Sequence, residues 1–301
     1  MPVHRIREYN KGDKKCCKMI FLQNDLIAKQ LFLIMGIEFN KNIEIISDDD
    51  FHKLDYKITG LAFKVHDKLG RFWNELIYRN YLIEVCKQNG IDNIDFEIPI
   101  TISYKNFSKR FYIDILVNNS IIYELKSVNK INNIHKRQVL NYLLLSGCNH
   151  AKLLNFGTQS VECEFVSTKL TPQLRRNYNI SLDKWVDVNN ESAQLKQLII
   201  DLLDEWGAFI STKLYYDVIY FFFGGKENVV KPVNVICNNN ILGTQSTHLI
   251  TNNTAFNISA IINDKKFYRN SLKKFLQHSS LKTVQWINLN HNNIEFETII
   301  K

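Results

Sequence analysis

The sequence predicts an α/β protein in which a mixed sheet flanked by helices has the order α-α-β-β-β-α-β, followed by a second, smaller α+β domain. Two observations carry this prediction. Apolar residues recur at helical spacing between 56 and 90 and alternate with polar residues between 96 and 128. A helical pattern between two strand patterns over 121–157 then indicates a parallel pair of strands joined by a right-handed crossover.

The length of 301 residues suits two domains, because folded units usually contain about 100–200 residues. We predict an N-terminal extension over 1–40, a core domain over 41–170 and a C-terminal α+β domain of unknown role over 171–301. The extension combines a basic start with an amphipathic stretch.

Composition limits the class of protein. A hydrophobic content of 45% excludes wholesale disorder. The formal charge of +8 permits binding to phosphate backbones without indicating it. The most apolar stretch near the start is interrupted by Asp25 and Lys29, so we predict no membrane span. The six cysteines form no CxxC pair, which argues against zinc sites and disulfides and favours a cytoplasmic location.

Helix signals open the core domain. Ser47 or one of the three aspartates that follow it is the expected N-cap of a first helix, which Gly70 ends. A second helix runs from Trp73 to about Gly90.

Strand signals follow at 96–104 and 110–117, and a turn at 118–120 leads to a third strand at 121–128. A helix at 131–147 and a buried strand at 151–157 complete the core.

The C-terminal domain begins with an amphipathic helix at 191–210. Further predicted elements are strands at 219–225, 233–238 and 256–262, a short helix at about 269–278 and a terminal hairpin over 283–300 that turns at Asn292-Asn293.

The chemistry-bearing pattern lies in the hairpin over 110–128. A turn centred on Asn119 places Asp114 opposite Glu124, and strand alternation places Tyr112 and Lys126 on the same face. Directly opposed like charges are destabilising unless a cation lies between them. Mg²⁺ prefers such carboxylate oxygens, so we predict that Asp114 and Glu124 bind Mg²⁺ or Mn²⁺.

Lys126 would stand beside this metal, to hold a water molecule or to stabilise charge on a phosphate oxygen. The alternative is a solvated Asp114 and an exposed Glu124–Lys126 ion pair with almost no effect on stability.

The pattern D-x9-E-x-K, preceded by two predicted helices and followed by a third, resembles the PD-(D/E)XK nuclease superfamily. Ile113 occupies the position of the proline in that motif. Gln138 and Tyr142, one turn apart on the following helix, resemble the Q-x-x-x-Y pair of the RecB-type branch. In that branch the two residues border the catalytic site and contact DNA.

The run LGRFWNELIYRNYLIEVC resembles the GxxExxY family of the same superfamily, and segments over about 50–160 follow that family's order. Glu75 and Tyr78 are kept, whereas Phe72 occupies the position of the motif's glycine. The resemblance implies that Glu75 is a helical acid of the site, bound to metal directly or through water. The alternatives are an exposed helix glutamate and, for Tyr78, a packing role.

The resemblance therefore implies a PD-(D/E)XK nuclease-like core and a Mg²⁺-dependent DNA nuclease. Its catalytic residues would be Asp114, Glu124, Lys126 and Glu75, and Gln138 and Tyr142 would bind substrate. We expect RecB-type exonuclease-like action on single-stranded DNA or DNA ends, with endonuclease action as an alternative. The rival function is a non-catalytic nucleic-acid-binding or partner-docking protein of a defence or repair assembly, with partners bound through the C-terminal domain.

Overall fold

The computed structural model describes residues 36–301, so most of the predicted extension, with its amphipathic stretch, lies outside the described residues. The first sheet has strands in the order β1-β2-β3-β4-β5-β6. These are Ile37–Glu38, Ile94–Tyr104, Phe107–Val117, Ile121–Lys126, His150–Asn155 and Glu162–Ser167. Its helices are α1 (Asp48–Leu69), α2 (Glu75–Gln88) and α3 (Asn133–Ser146).

The second sheet also has six strands, in the order β7-β12-β11-β10-β9-β8. In chain order, β7 to β12 are Asn179–Lys184, Val230–Cys237, Asn240–Thr251, Thr254–Ser259, Thr283–Asn290 and Asn293–Ile300. The helices α4 to α8 are Pro172–Arg175, Asn190–Trp206, Thr212–Phe222, Lys226–Val229 and Lys265–Gln277. Both sheets are mixed, which confirms the predicted α/β class with a second α+β unit.

The termini of the core helices follow from their sequences. The Ser47 side chain accepts a hydrogen bond from the Asp50 N–H and so caps α1, as predicted. Asn74 caps α2 in the same way, and Gly147 ends α3 in a left-handed conformation.

The hairpin of β3 and β4 has the predicted register. Val117 pairs with Ile121, and the ladder continues to Ile115 and Tyr123. The strand β4 is parallel to β5, with α3 as the crossover between them, which confirms the predicted parallel pair.

In the neighbouring strands β2 and β3, the alternation of side chains between the two faces of the sheet is interrupted at one point. Ile113 and Ile115 are two residues apart and would share a face in a regular strand, yet they lie in different hydrophobic cores. Glu97, the residue between the Phe96–Ile115 and Ile98–Ile113 pairs, has a φ of 51°. Asp114 therefore lies where the pleat of the sheet is interrupted.

Two large cores cover the two faces of the first sheet. One core joins the sheet to α1 and α2. The other contains residues of α3, α5 and α6 together with residues of both sheets. The Trp206 indole of α5 donates a hydrogen bond of 2.8 Å to the Ser103 carbonyl of β2, so the C-terminal half packs directly on the first sheet.

The predicted strand at 219–225 is wrong, because these residues mostly belong to α6. The buried residues of α6 are Leu214, Tyr215, Val218 and Ile219, which is helical spacing, and an aromatic run does not distinguish a buried strand from a buried helix. The strands β1, β6, β7 and β9 were not predicted. The terminal hairpin turns at His291–Asn292, one residue before the predicted turn.

Within residues 36–301, none of the helices combines the length and apolarity that crossing a bilayer requires.

Candidate active site

Asp114 and Glu124 lie where β3 and β4 separate. The regular ladder ends at Ile115 and Tyr123, one residue before this pair. The Asp114 Oδ2 atom instead accepts the Leu125 N–H at 2.8 Å. The two acids are thus brought together as the hairpin register predicts, but a carboxylate rather than a backbone carbonyl continues the contact between the strands.

Glu124 is almost completely buried, with 2% of its surface exposed. Its Oε1 atom accepts hydrogen bonds from Lys126 Nζ at 2.6 Å and from Gln138 Nε2 at 2.9 Å. Its Oε2 atom is buried and has no hydrogen-bond partner among residues 36–301. A buried carboxylate oxygen without a partner is costly, so a ligand that contacts Glu124 Oε2 would stabilise the site.

Burial makes both acids of the pair harder to ionise. Burial and the neighbouring Asp114 raise the pKa of Glu124 to about 8. Burial also raises the pKa of Asp114, which the Leu125 N–H and Lys126 partly oppose. Burial lowers the pKa of Lys126, but attraction by Glu124, Glu75 and Asp114 outweighs it and the net pKa is raised. Lys126 is therefore held in its charged form between the acids.

These residues fit a divalent ion. Mg²⁺ is usually held by one or two carboxylates, with water and phosphate oxygens completing its shell. Asp114 and Glu124 supply two such carboxylates, and Glu124 Oε2, which has no partner among residues 36–301, is available as a ligand. No group of three or more His, Cys, Asp and Glu side chains is arranged for metal binding in residues 36–301.

Glu75 joins the same site from α2, of which it is the first residue. Its Oε1 atom accepts the Ser127 N–H at 3.2 Å, next to Lys126. Its charge raises the pKa of Glu124 and of Lys126 after larger contributions from closer groups. The structure thus brings Glu75 to the position that the sequence predicts.

Gln138 and Tyr142 lie on α3 behind Glu124. Gln138 Nε2 donates to Glu124 Oε1 and, at 2.8 Å, to the Tyr142 hydroxyl. The Tyr142 ring is buried in the larger core and contacts Phe111 edge to face. The observed contacts orient Glu124, and contact of this pair with substrate stays a prediction.

Sequence reasoning missed the residues that fix the segment after Lys126. The Asn155 amide side chain accepts the Val128 N–H at 2.9 Å and donates to the Val128 carbonyl at 2.8 Å. A Cβ atom on Gly157 would lie 2.5 Å from the Val128 carbonyl oxygen, so only glycine fits there. The signal for this pair was a polar residue and a glycine at the end of a buried strand.

Arg79 is a further residue that the sequence analysis missed. It is buried on α2, and its Nη2 atom donates to Glu97 Oε1 at 2.9 Å. Its positive charge opposes the rise in the pKa of Asp114. Its spacing of four residues from Glu75, which puts both on one helix face, was the available signal.

Tyr78 of the E-x-x-Y pattern has a packing role in this structure. Its ring is stacked on Phe156 with centroids 4.5 Å apart, and its hydroxyl donates to the Gly70 carbonyl at 2.7 Å. The loop between α1 and α2 is thereby fixed beside the site.

Residues 52–166 match the model of the PD-(D/E)XK nuclease superfamily. The matched segment begins in α1 and ends in β6, and it includes every residue of the candidate site. Members of this superfamily are in general metal-dependent nucleases, so the match supports a hydrolase acting on nucleic acid at that coarse level. Comparison with curated proteins and with solved structures gave no match. The resemblance is confirmed for the superfamily, whereas the RecB-type branch and the GxxExxY family stay predictions.

Proposed function

We propose that this protein is a Mg²⁺- or Mn²⁺-dependent nuclease that hydrolyses DNA phosphodiester bonds. The observation that carries the proposal is the buried Glu124 carboxylate near Asp114, which has one oxygen on Lys126 and the other without a hydrogen-bond partner in the described part of the chain. This arrangement is unstable by itself and suits a divalent ion with a substrate phosphate.

Each residue has a distinct role in the proposed hydrolysis. Asp114 and Glu124 would hold the ion, which supplies positive charge that stabilises the transferred phosphoryl group. Lys126 would orient the attacking water by a hydrogen bond and would stabilise charge on a phosphate oxygen. Water adds to phosphorus and gives up a proton to solvent, the bond to the leaving ester oxygen breaks, and that oxygen takes up a proton from solvent. Glu75 would support the site through the Ser127 N–H or an intervening water.

The direct test is cleavage of end-labelled and internally labelled DNA with Mg²⁺ or Mn²⁺. We expect Asp114→Asn to reduce cleavage by about a thousandfold or more, because metal ions contribute several kcal/mol of transition-state stabilisation. We expect Lys126→Ala to reduce it by about 10²–10⁴-fold. Asp183→Asn and Lys231→Ala are matched controls, since both residues are exposed on the second sheet. Equal cleavage by wild type and the two site variants would overturn the proposal.

We further propose exonuclease action on single strands or ends, following the RecB-type likeness of Gln138 and Tyr142. Circular single-stranded DNA separates the two reactions, because an exonuclease leaves it intact and an endonuclease cuts it. Linear DNA of the same sequence is the control. Cleavage of circular and linear DNA at equal rates would favour the endonuclease alternative.

The rival is a protein that keeps the fold and binds nucleic acid or a protein partner without turnover. It would bind DNA equally well as wild type and as Asp114→Asn, with no metal-dependent cleavage by either. Removing residues 171–301 would not isolate the partner surface cleanly, because α5 and α6 share a core with the first sheet. Substitutions of exposed residues on the second sheet are the sharper test of partner binding.

A cytoplasmic location is part of either proposal, and the cysteines at 86, 148, 163 and 237 are free thiols.

A further inference from the structure

A group of large apolar side chains is exposed beside the candidate site. This Phe72 patch consists of Phe72, Trp73, Leu76 and Ile77, which are four of six consecutive residues. Phe72 is 88% exposed. Exposed apolar groups of this kind often mark a binding surface rather than a packing position.

The loop that carries Phe72 is firmly attached. The Trp73 indole donates to the Leu69 carbonyl at 2.9 Å, and the Trp73 carbonyl accepts the Ser127 hydroxyl at 2.7 Å. Tyr78 fixes Gly70 on the other side of Phe72. The residues on both sides of Phe72 therefore hold its side chain in solvent. The next residue, Trp73, contacts Ser127, which directly follows Lys126.

The backbone of Phe72 is strained. Its φ is 112°, a region that glycine enters readily and that a residue with a bulky side chain enters at a cost. Burial of the ring does not offset this cost, because the ring is exposed. A ligand that contacts the ring would offset it.

The residue next to Phe72 indicates which kind of ligand would fit this surface. The Arg71 guanidinium lies 5.2 Å from the centroid of the Phe72 ring, so an aromatic face and a positive charge are presented together. Unpaired nucleobases stack on exposed aromatic rings while basic side chains contact their phosphates. Bases inside a duplex have no free face for such stacking.

We propose that Phe72 stacks on an unpaired nucleobase and thereby selects single-stranded nucleic acid, or a frayed end, for the adjacent site. The inference rests on the proposed nuclease function and names its substrate class. Arg71 would contact a neighbouring phosphate of the same strand.

The test measures binding in EDTA, where no cleavage occurs, with fluorescein-labelled single-stranded and blunt duplex DNA. Phe72→Leu keeps an apolar side chain and the strained backbone but removes the ring. We expect it to weaken single-strand binding by about fivefold to a hundredfold, the range expected for one stacked base, and to change duplex binding less than twofold. A 2-aminopurine base that is quenched by wild type and not by Phe72→Leu would locate the contact.

Two further variants make the result independent of folding defects. Phe72→Gly relieves the strain and removes the ring, so it is expected to raise the melting temperature while it weakens single-strand binding. Tyr56→Leu removes an exposed aromatic residue of α1 that lies about 21 Å along the helix axis from Gly70, and it should bind as wild type does.

Unchanged single-strand affinity in Phe72→Leu would overturn the proposal, and so would equal losses for single strands and duplexes. If wild type self-associates and Phe72→Leu does not, while DNA binding is unchanged, the Phe72 patch binds a second copy of the chain and the stacking proposal is overturned too. If wild type fails to cleave DNA but Phe72→Leu loses single-strand affinity, the nuclease proposal fails and the stacking proposal stands. If wild type cleaves DNA but Phe72→Leu binds single strands as wild type does, the nuclease proposal stands and the stacking proposal fails.

Discussion

Glu124 shows most clearly how the candidate site holds an acid in surroundings that disfavour its charged form. Its carboxyl group lies among apolar strands, where the charged form is poorly solvated, and Asp114 adds repulsion. Lys126 and Gln138 satisfy one oxygen and leave the other without a partner in the described part of the chain. Without a bound cation, the protonated form of Glu124 is the favoured one.

The pH dependence of stability follows from the raised pKa of Glu124. Because the folded-state pKa is about 8 and the ordinary value is 4.5, the stabilising effect of the bound proton is complete below about pH 4.5 and is lost as the pH rises through 8. In EDTA, Glu124→Gln should be more stable than wild type at pH 8.5, by a few kcal/mol at most, with little difference at pH 4.5. Thermal unfolding at both pH values measures this.

Glu84→Gln is the control, because Glu84 is exposed on α2, where it accepts a hydrogen bond from Gln88. Mg²⁺ should raise the melting temperature of wild type at pH 8.5 and leave that of Glu124→Gln nearly unchanged. A Glu124→Gln protein that is less stable than wild type at pH 8.5 would contradict the interpretation of the site.

Among the elements, the hairpin of β3 and β4 was the most accessible to prediction. The turn residues fixed its register, and the alternation of its apolar residues indicated both strands. The interruption at Asp114 was not predictable, because it depends on the left-handed backbone of Glu97 in the neighbouring strand. The positions of Arg79 and Asn155 depend in the same way on contacts between segments far apart in sequence. Phe96 lies between the polar residues Asp95 and Glu97, as an apolar-face residue of a regular strand would, yet it is exposed because of this interruption.

Val128 is held by Asn155 at the end of β5, which gives a prediction for the segment that follows Lys126. A methyl group in Gly157→Ala would lie 2.5 Å from the oxygen and 2.6 Å from the nitrogen of the Val128 backbone. The segment must move away, so we expect a loss of about 1–3 kcal/mol in unfolding free energy and slower cleavage, because Lys126 directly precedes the segment. Urea denaturation and cleavage assays measure the two effects.

Gly60→Ala is the matched control for this substitution. Gly60 lies inside α1, and a Cβ atom there meets nothing within 4 Å. Alanine has the higher helix propensity, so this variant should gain about 0.5–1 kcal/mol and cleave DNA normally. Normal stability and activity in Gly157→Ala would show that the close contact with Val128 is not required.

For the whole molecule, the question is whether the predicted domains over 41–170 and 171–301 unfold as separate units. Neither the charge of +8 nor the presence of two six-stranded sheets shows whether the two halves unfold together. The packing favours one unit, because a single core contains residues of both sheets and of α5 and α6. Polar contacts cross the same boundary, since Tyr104 donates to Asp201 at 2.6 Å and Lys109 to Asp217 at 2.5 Å.

Trp206 allows this to be measured, because its ring is buried in the shared core and its indole N–H reaches the first sheet. Trp206→Ala should lower the unfolding free energy by about 3–5 kcal/mol, as expected for removing a large buried ring. Hydrogen exchange should show the same loss at amides of β2 and of β11, whereas Ile241→Ala, at an exposed position of β9, should show almost none. A loss confined to β11 would mean that the sheets unfold independently despite their common core. Equal losses would mean that substitutions in the C-terminal half reach the site through stability alone, since β2 carries Glu97 and lies next to Asp114 on β3.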